Sequence, residues 1–526
     1  MSSVTGAPHL VRLVLRRDRV RLPVWLLGIT AATGASANAV RGLYDTPEKI
    51  AGYAATVTSS PATRLMNGRP TAVDTLDGIT VYESSTVAVL AVSLMSVFLV
   101  VRHTRAEEET GRSELLRSTV VGRHAATLAA VSVAVVASVL VGLLDAGVLV
   151  ATGAPVQGSL LHGASLTCLG VLFAAVAAAS AQVTPSARGA LGIAGGLVGA
   201  AYVLRGLGDV SENVLTWVSP FGWAQGTRPF GDERWWLLTP LLALAALFLG
   251  LAVALTARRD AGAGLVAARP GRTRAARWLG TSWGLALRNQ RGLLLGWMTG
   301  LTVTAALFGS TGQEVVDMVA DNPELSAFFA EEGGAVLDGY FAFVLSFLAV
   351  VTSAFGVSSA LRLRAEEEAG RAEVLLATGL SRGRWVLGSL AVTVVGTALI
   401  LLCIGLGLGV THALVSGDSD PLAVLAAGAV AQAPAVLAVV GCAVLVVGWL
   451  PRWTALAWAA FAFVLLQSYL GGLLDLPGAV AGLSPYWHLP SLPTEDFTVA
   501  PAATVAVIAA ALHATGLIGL RVRDIA

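Results

Sequence analysis

Uninterrupted apolar segments recur along the whole chain, and they limit its fold more than any other feature of the sequence. Segments of about 18 or more apolar residues are long enough to cross the hydrocarbon core of a bilayer as helices. The chain is 55% hydrophobic and only 13% charged, and a water-soluble core has no use for so many apolar runs. The sequence therefore predicts an all-α polytopic membrane protein.

The apolar segments divide into twelve predicted transmembrane helices in two sets of six. The predicted spans are residues 22–40, 85–101, 124–152, 159–182, 188–206 and 235–257, followed by 293–312, 339–361, 385–414, 421–450, 453–474 and 499–520. This pattern predicts two pseudo-symmetric six-helix halves, residues 1–260 and 281–526, with residues 261–280 as a cytoplasmic linker. Because both halves start on the same side, the predicted repeat is parallel and not inverted.

A charged segment occurs twice between apolar segments, and we call its copies the first and the second island. The first island is residues 105–123, RAEEETGRSELLRSTVVGR, and the second is residues 364–382, RAEEEAGRAEVLLATGLSR. The candidate functional residues that the copies share are Glu107, Glu108, Glu109, Gly111, Arg112 and Glu114 in the first island and Glu366, Glu367, Glu368, Gly370, Arg371 and Glu373 in the second. A solvated connector between two spans would explain one such segment. Identical residues in both copies favour paired docking surfaces for a two-fold symmetric cytoplasmic partner.

Charge spacing and helix propensity predict short helices within the islands. The AEEE run is expected in the first turn of a helix, where the helix dipole favours negative charge. Arg112 follows Glu108 by four residues and Glu107 by five, so ion pairs along the helix are sterically available. Gly111 and Gly370 each cost a helix about 1 kcal/mol relative to Ala. Their repetition indicates either the close approach of another backbone or a bend between two short helices.

Basic residues are concentrated on one side of the predicted membrane, and the positive-inside rule makes that side the cytoplasm. Arginines cluster before the first span, in the islands, in the linker and at the C-terminus, whereas residues 313–338 contain seven acidic residues and no Lys or Arg. Both termini and both islands are therefore predicted to be cytoplasmic.

Residues 8–21 mix leucines and valines with arginines, which predicts an amphipathic elbow helix in the headgroup region. The counterpart in the second half is residues 274–291. At a constant offset of 272, Arg16, Arg19 and Trp25 recur as Arg288, Arg291 and Trp297. A plain basic flank that orients the first span explains these arginines equally well.

The chain contains a single lysine, Lys49 in PEKI, which neither follows Gly nor precedes Ser or Thr. A phosphate-binding P-loop requires that context, so ATP hydrolysis of that type cannot reside in this chain. The three cysteines lie in apolar segments without metal-ligand spacing, and we expect no cofactor or metal in the chain. The arginines follow the membrane edges, so nucleic acid is not expected as a partner.

Ionisable residues inside predicted spans are few, and they are candidates for function because burying charge is costly. Asp145, in LVGLLDAGVLV, is the main one, with either a substrate or gating role or a partnered packing role. His162 is expected to be interfacial. The aromatic and polar candidates for a substrate path are Phe341, Phe343 and Phe347 in the eighth span and Trp458, Phe463, Gln467 and Tyr469 in the eleventh. Residues at such helical spacing also commonly face lipid or pack in a core. The scarcity of buried charge argues against proton coupling.

The islands, together with SPFGW at residues 219–223 and TARRDAGAGL at residues 256–265, resemble ABC exporter permeases of the polyketide-antibiotic (tetronasin-type) class. The resemblance covers essentially the whole chain, and it places the islands between the second and third spans of each half. It implies a complete transmembrane unit with elbow helices and two cytoplasmic coupling helices formed by the shared island residues. It also implies two copies of a separate ATPase that binds ATP and Mg²⁺, a hydrophobic drug or polyketide-like antibiotic as substrate, and location in a bacterial cell membrane. The second island departs from the first at Arg117, which is replaced by Leu376.

Two other classes of function remain open at the level of sequence. An ion-coupled secondary transporter of the twelve-span type would transport without an ATPase, but it predicts short loops in place of the islands. A membrane enzyme or scaffold would need paired carboxylates, a histidine cluster or a nucleophile motif at membrane depth, and the sequence shows none of these.

Overall fold

The computed structural model describes residues 3–111, 120–258, 264–266, 273–313, 316, 336–470 and 477–524, with the backbone alone at residues 59, 61, 62, 469 and 470. The chain forms two compact units, Met1–Gly271 and Arg272–Ala526, which we call unit 1 and unit 2. In the described residues, all regular secondary structure is helical. The boundary lies within residues 261–280, whose role as a cytoplasmic linker stays a prediction.

Unit 1 is built around one helix that is buried on almost every side. Its helices are α1 (Ala7–Arg17), α2 (Arg21–Leu43), α3 (Pro47–Ser59), α4 (Pro61–Asn67), α5 (Leu76–His103), α6 (Arg105–Glu109), α7 (Ala125–Ala151), α8 (Val156–Val183), α9 (Ala187–Val210), α10 (Leu215–Val218), α11 (Pro220–Gln225) and α12 (Leu238–Arg258). The buried helix is α8, against which α5, α7, α9 and α12 pack. Its sequence is apolar and small-residue-rich on all faces, which suits a helix surrounded by other helices.

The core of unit 2 lies around two helical segments that are far apart in the sequence. Its helices are α13 (Ser282–Ser310), α14 (Val336–Glu368), α15 (Arg371–Leu376), α16 (Arg382–Ser416), α17 (Pro421–Ala431), α18 (Ala433–Trp449), α19 (Ala455–Leu470), α20 (Gly478–Ala481) and α21 (Val499–Val522). The two most buried are α14 and the segment formed by α17 and α18. The predicted span 421–450 is broken at Gln432, because Pro434 in the following turn has no backbone N–H to continue the helix.

Among the described residues, ten helices are long and apolar enough to cross a membrane, so the chain is a multi-pass membrane protein. The first predicted span corresponds to α2, which has 23 residues but carries several Gly, Ser and Thr residues. The eleventh corresponds to α19, which has 16 described residues. Neither is among the ten, and the count of twelve stays a prediction.

The segment between α2 and α5 folds into two short helices because its sequence supplies a cap for each one. Thr46 accepts a hydrogen bond from Lys49 N at the start of α3, and Ser60 accepts one from Thr63 N at the start of α4. A proline follows each cap residue, where its missing N–H costs nothing. Residues 44–75 thereby cover one end of unit 1, which we call the α3–α4 end. The opposite end is the island end.

Candidate functional site

The carboxylates of the second island end a long helix and do not begin a new one. Helix α14 continues without a break to Glu368, so Glu366, Glu367 and Glu368 lie in its last turn. The prediction that these carboxylates open a helix is therefore wrong in unit 2, because the long helix extends through the AEEE run. In unit 1 the prediction is confirmed: the backbone breaks at Thr104, and Glu107 lies in the first turn of α6.

Arginines compensate for the unfavourable position of carboxylates at a helix C-terminus. The Glu367 side chain is fully buried, and Arg523 Nη2 donates to both of its carboxylate oxygens at 2.6 Å. Arg364 lies 3.3 Å from the same carboxylate and donates to Glu368 at 3.0 Å. Since Arg523 follows α21, this ion pair joins the end of α14 to the end of the last helix of unit 2.

The hydrogen bond between Arg371 and Glu366 spans the bend in the second island at 2.6 Å. Its five-residue spacing is the one that the sequence offered for Glu107 and Arg112. Hydrogen bonding to the carboxylate raises the pKa of Arg371 above its ordinary value, so this guanidinium stays charged at any physiological pH.

Gly111 and Gly370 occupy the same backbone conformation in the two islands. Their φ angles are +72° and +68°, in the left-handed region that favours glycine. Among the described residues other than the chain neighbours, no atom lies within 4 Å of the position that a Cβ would take at either glycine. In the second island the bend is confirmed, because α14 ends at Glu368 and α15 begins at Arg371. In the first island the bend stays a prediction, since the residues that follow Gly111 lie outside the described part of the chain.

Helix α15 projects from the bend in the second island as a short element with a buried base. Ala372 is fully buried, whereas Val374 is 69% exposed and Glu373 is also exposed. An apolar side chain at this exposure, on a helix held between Gly370 and Gly379, is available for contact with a partner.

The first island is tied to two other helices of unit 1. Glu107 pairs with Arg17 of α1 at 2.7 Å, and Glu108 pairs with the buried guanidinium of Arg105. Glu109 accepts a hydrogen bond from the backbone N of Ala187 at 2.8 Å, at the start of α9. The candidates Arg112 and Glu114 lie outside the described residues.

The elbow is a separate helix in unit 1 and part of a span in unit 2. In unit 1, α1 buries Ala7, Leu10 and Val14 on one face and exposes arginines on the other. In unit 2, residues 282–291 belong to α13, which continues into the seventh predicted span. The prediction of an amphipathic elbow helix is thus confirmed for unit 1 alone.

A buried polar residue holds the elbow segment in each unit. Asp18 follows α1 and contacts His103 at 2.6 Å and Arg102 at 3.4 Å, both at the end of α5. At the offset of 272, its counterpart is Gln290, which donates to Ser389 of α16 at 3.0 Å and accepts from Ser359 of α14 at 2.5 Å. Asp18 therefore connects the elbow segment of unit 1 to α5, and Gln290 connects that of unit 2 to both α14 and α16.

Asp145 lies in a buried polar cluster that three helices of unit 1 form together. Its carboxylate is fully buried on α7, accepts a hydrogen bond from Thr33 of α2 at 3.0 Å, and lies 3.4 Å from His162 Nε2 of α8. His162, expected to be interfacial, is only 2% exposed. Helices α7 and α8 can bring these groups together because Gly142 and Gly163 lie at their crossing, where a Cβ would come within 2.2 Å of the opposite backbone.

The candidates for a substrate path do not converge on one cavity. Phe341 is buried with its ring edge against His412, whereas Phe343 is half-exposed and stacks on Phe347 at 6.4 Å. Trp458 is also exposed, and Gln467 is buried. The side chain of Tyr469 lies outside the described residues.

Phe463 lines an open cavity of about 250 Å³ in the second half of unit 2. The walls are mainly apolar residues of α18, α19 and α21, and His488 is one of the polar groups that line it. Its size and lining suit an apolar small molecule.

Two comparisons with known proteins agree on the family. A family model described as "Multidrug efflux system permease Rv1217c, C-terminal domain" matches residues 9–256 and 279–521. The chain is also 37% identical over 529 aligned residues to the multidrug efflux system permease protein Rv1217c of Mycobacterium tuberculosis (strain ATCC 25618 / H37Rv), an alignment that covers 100% of this chain and 96% of that protein. The chain belongs to this multidrug efflux permease family. Each of the two matched segments contains one island.

Three residues of this efflux permease make polar contacts between distant helices but were not predicted as functional from the sequence. Asp18 is the one acidic residue in the arginine-rich start of the chain, which is a detectable signal. Arg523 also had a signal, because Arg523-Asp524 after the last span repeats Arg259-Asp260 after the sixth. Thr33 had none, since its partner Asp145 is 112 residues away.

Replacing Gly142 with alanine is expected to separate α7 from α8 and to destabilise the permease by about 1–3 kcal/mol. The new Cβ would lie 2.2 Å from the carbonyl oxygen of Gly163 and 2.3 Å from Thr167 Oγ1. The thermal unfolding midpoint in detergent measures the effect. Gly147→Ala on the same helix is the control, since no atom of the described residues beyond its own helix backbone lies within 4 Å of its Cβ position. Equal midpoints for the two variants would contradict the close crossing.

Proposed function

We propose that the chain is the transmembrane subunit of an ATP-driven ABC exporter that moves hydrophobic drugs or polyketide-like antibiotics out of a bacterial cell. Membership of the multidrug efflux permease family supports transport of such compounds. The observation that carries the ATP-driven part is the position of α15, a short exposed helix whose base is bonded to α14, which is in turn bonded to α21. Such an element can receive a force from a partner and pass it into the membrane domain.

The contacts of the second island form a route by which that force would reach the long helices of unit 2. The hydrogen bond between Arg371 and Glu366 holds α15 to the end of α14. The buried ion pair between Glu367 and Arg523 then holds α14 to α21. A displacement of α15 would therefore move both helices together, and a partner that binds α15 differently in its ATP-bound and ATP-free states would do work on them.

The first island has the same role in the proposal. Glu107 and Glu109 connect it to α1 and α9. We propose that the two islands are cytoplasmic coupling helices on pseudo-symmetric six-span halves, with both termini in the cytoplasm, and that two copies of one ATPase occupy them. Because Glu108 and Glu367 face arginines of this chain, they position the docking elements and do not themselves contact the ATPase.

ATP and Mg²⁺ belong to the ATPase in this proposal. The only lysine of the sequence, Lys49, lies at the α3–α4 end in the first turn of α3. The residues around it do not form a phosphate-binding loop sequence. The cavity beside Phe463 is the proposed place for an apolar substrate in unit 2. Alternating access follows if the pull on α14 and α21 changes the opening of this cavity, since α21 forms one of its walls.

Replacing Val374 with aspartate is expected to reduce the ATPase that co-purifies with the tagged chain to roughly half or less, because two linked docking sites act together. The substituted side chain is exposed, so the fold should tolerate it. The measurement is ATP hydrolysis and subunit stoichiometry after purification of the chain from membranes of its native host.

Val499→Asp is the matched control, because Val499 is also 69% exposed and begins α21 at the end opposite to Arg523. This control should retain the full amount of ATPase. Unchanged co-purification of the ATPase with the Val374 variant would overturn the docking role of α15. Transport by the purified chain alone, driven by an ion gradient, would instead support the secondary-transporter alternative.

A further inference from the structure

Two small cavities adjoin at the α3–α4 end of unit 1. One has a volume of about 30 Å³ and the other a volume of about 60 Å³. Arg69, Thr71 and Gln225 line both of them. We call the larger one the arginine cavity. It has room for about four water molecules, or for one oxyanion of similar size.

Three arginines line the arginine cavity, and they come from two separate loops. Arg69 lies between α4 and α5, whereas Arg228 and Arg234 lie between α11 and α12. Asp209 is the carboxylate among the described residues that line the cavity. Asp232 does not line it, but accepts hydrogen bonds from Arg228 at 3.1 Å and from Arg234 at 2.8 Å. Even with Asp232 included, three guanidinium groups face two carboxylates, so positive charge is in excess.

Each of these guanidinium groups has donors that no neighbouring group uses. Arg69 approaches Asp209 through Nε at 3.2 Å, and its two terminal nitrogens have no partner among the described residues. Arg228 donates to Asp232 through Nη1, and Arg234 donates to it through Nε and Nη2. In the described part of the chain, Nη2 of Arg228 and Nη1 of Arg234 therefore have no acceptor. Guanidinium groups bind carboxylate and phosphate oxygens through such paired donors.

Backbone strain is concentrated in the loops around the two cavities. Arg228 has a φ angle of +50°, in the left-handed region that favours glycine. The other described residues with a positive φ, apart from glycines, also lie at this end of unit 1: Ala72, Glu212 and Phe230. Strained positions of this kind persist where the surrounding structure determines them, and they are common at ligand-binding sites.

The equivalent segment of unit 2 has no basic residue. Residues 219–221, SPF, match residues 484–486, SPY, but residues 477–498 contain two acidic residues and no Lys or Arg. Basic residues at the end opposite to the islands also oppose the charge asymmetry that orients a membrane protein. Neither the repeat nor the orientation of the chain therefore accounts for the arginines of this cavity, whereas binding of an anion does.

We propose that the arginine cavity binds the carboxylate or phosphate group of an amphipathic anion, whose apolar part lies against Trp217. The indole of Trp217 lines the same cavity and is 48% exposed. Arg69 and Arg234 hold the oxyanion from the two loops. This site lies in unit 1, apart from the apolar cavity beside Phe463, and it takes acids that an apolar cavity would exclude because burying an unpaired charge is costly.

Fluorine NMR titrations of the full chain in phosphatidylcholine nanodiscs test the site. The anion 4-fluorobenzoate should bind at least about tenfold more tightly than the neutral 4-fluorobenzamide, because charged hydrogen bonds are stronger than neutral ones. The double substitution Arg69→Gln and Arg234→Gln should abolish this difference. Arg41→Gln is the matched control, since Arg41 pairs with Asp77 at the same end but lines neither cavity. It should retain the full difference.

The comparison of the two probes on the unaltered chain keeps the test decisive if the double variant does not fold. Equal affinities of the acid and the amide for the unaltered chain would overturn the site, as would an unchanged affinity for the acid in a folded double variant. Competition with glycerol 3-phosphate then distinguishes the sources of the anion. Displacement of 4-fluorobenzoate supports a site that accepts the phosphate of a lipid headgroup, and its retention supports a site selective for carboxylates. The experiment uses the chain without an ATPase, so its outcome is independent of the proposed export mechanism.

Discussion

Replacing Glu367 with alanine should destabilise unit 2 by about 3 kcal/mol, the lower end of the range for removing one partner of a buried ion pair. The carboxylate is fully buried and satisfies Arg523 and Arg364, whose side chains are 16% and 21% exposed. Its loss leaves both guanidinium groups without their buried acceptor. Partial access of the two arginines to water keeps the cost from being larger. The thermal unfolding midpoint in detergent should fall by roughly 6–12 °C.

Glu368→Ala is the matched control for this substitution. Glu368 is the next residue on α14 and also contacts Arg364, but its side chain is 61% exposed. An exposed ion pair contributes at most about 1 kcal/mol, so the control should shift the midpoint by only a few degrees. If both variants unfold at the same temperature, the connection between α14 and α21 does not stabilise unit 2. The coupling route through Glu367 would then lose its physical basis.

Replacing Arg205 with methionine should release α4 from unit 1 and destabilise that unit by about 3 kcal/mol. The guanidinium is 1% exposed and donates to the backbone carbonyls of Arg64 and Met66 at 3.2 and 2.8 Å. It also lies over the ring of Tyr202 and 3.7 Å from Asp209. Methionine fills similar space but removes the charged donor from both carbonyls, which keep only the weaker neutral donors Gly68 N, Thr86 and Tyr202. Limited proteolysis within residues 44–75 should become about tenfold faster or more, because the cleavage rate follows the population of the detached segment.

Arg188→Met provides the comparison for Arg205, since Arg188 is exposed near the other end of the same helix, α9. It should leave both the unfolding midpoint and the proteolysis rate unchanged. Tyr202 and Gln225 also donate hydrogen bonds to the backbone carbonyls of residues 66 and 67. Equal cleavage rates in wild type and the Arg205 variant would show that these two bonds hold α4 without Arg205.

The features that could be predicted from the sequence are those that depend on neighbouring residues. Apolar length alone predicts the membrane-spanning helices, and a single lysine outside any P-loop context excludes nucleotide hydrolysis of that kind. Two glycines at equivalent positions of a repeated segment predict a bend, and Gly111 and Gly370 are both left-handed. In each case, the physical cause lies within a few residues of the observed feature.

Prediction from neighbouring residues was wrong where contacts with a distant part of the chain decided where a helix ends. The AEEE run of the second island resembles a helix start by charge, but α14 extends through it because Arg364 and Arg523 neutralise Glu367. Pro434 is a local signal of a break inside the predicted span 421–450, and a prediction from apolar length alone does not include it.

The sequence by itself determined the class of the protein, the positions of most membrane helices and the two islands that interrupt them. Only the tertiary structure decided which buried charges meet. Glu367 and Arg523 are 156 residues apart, and Thr33 and Asp145 are 112 apart. Apolar runs are visible in sequence because burial in lipid demands them residue by residue, whereas a buried polar contact requires only that two helix faces pack together.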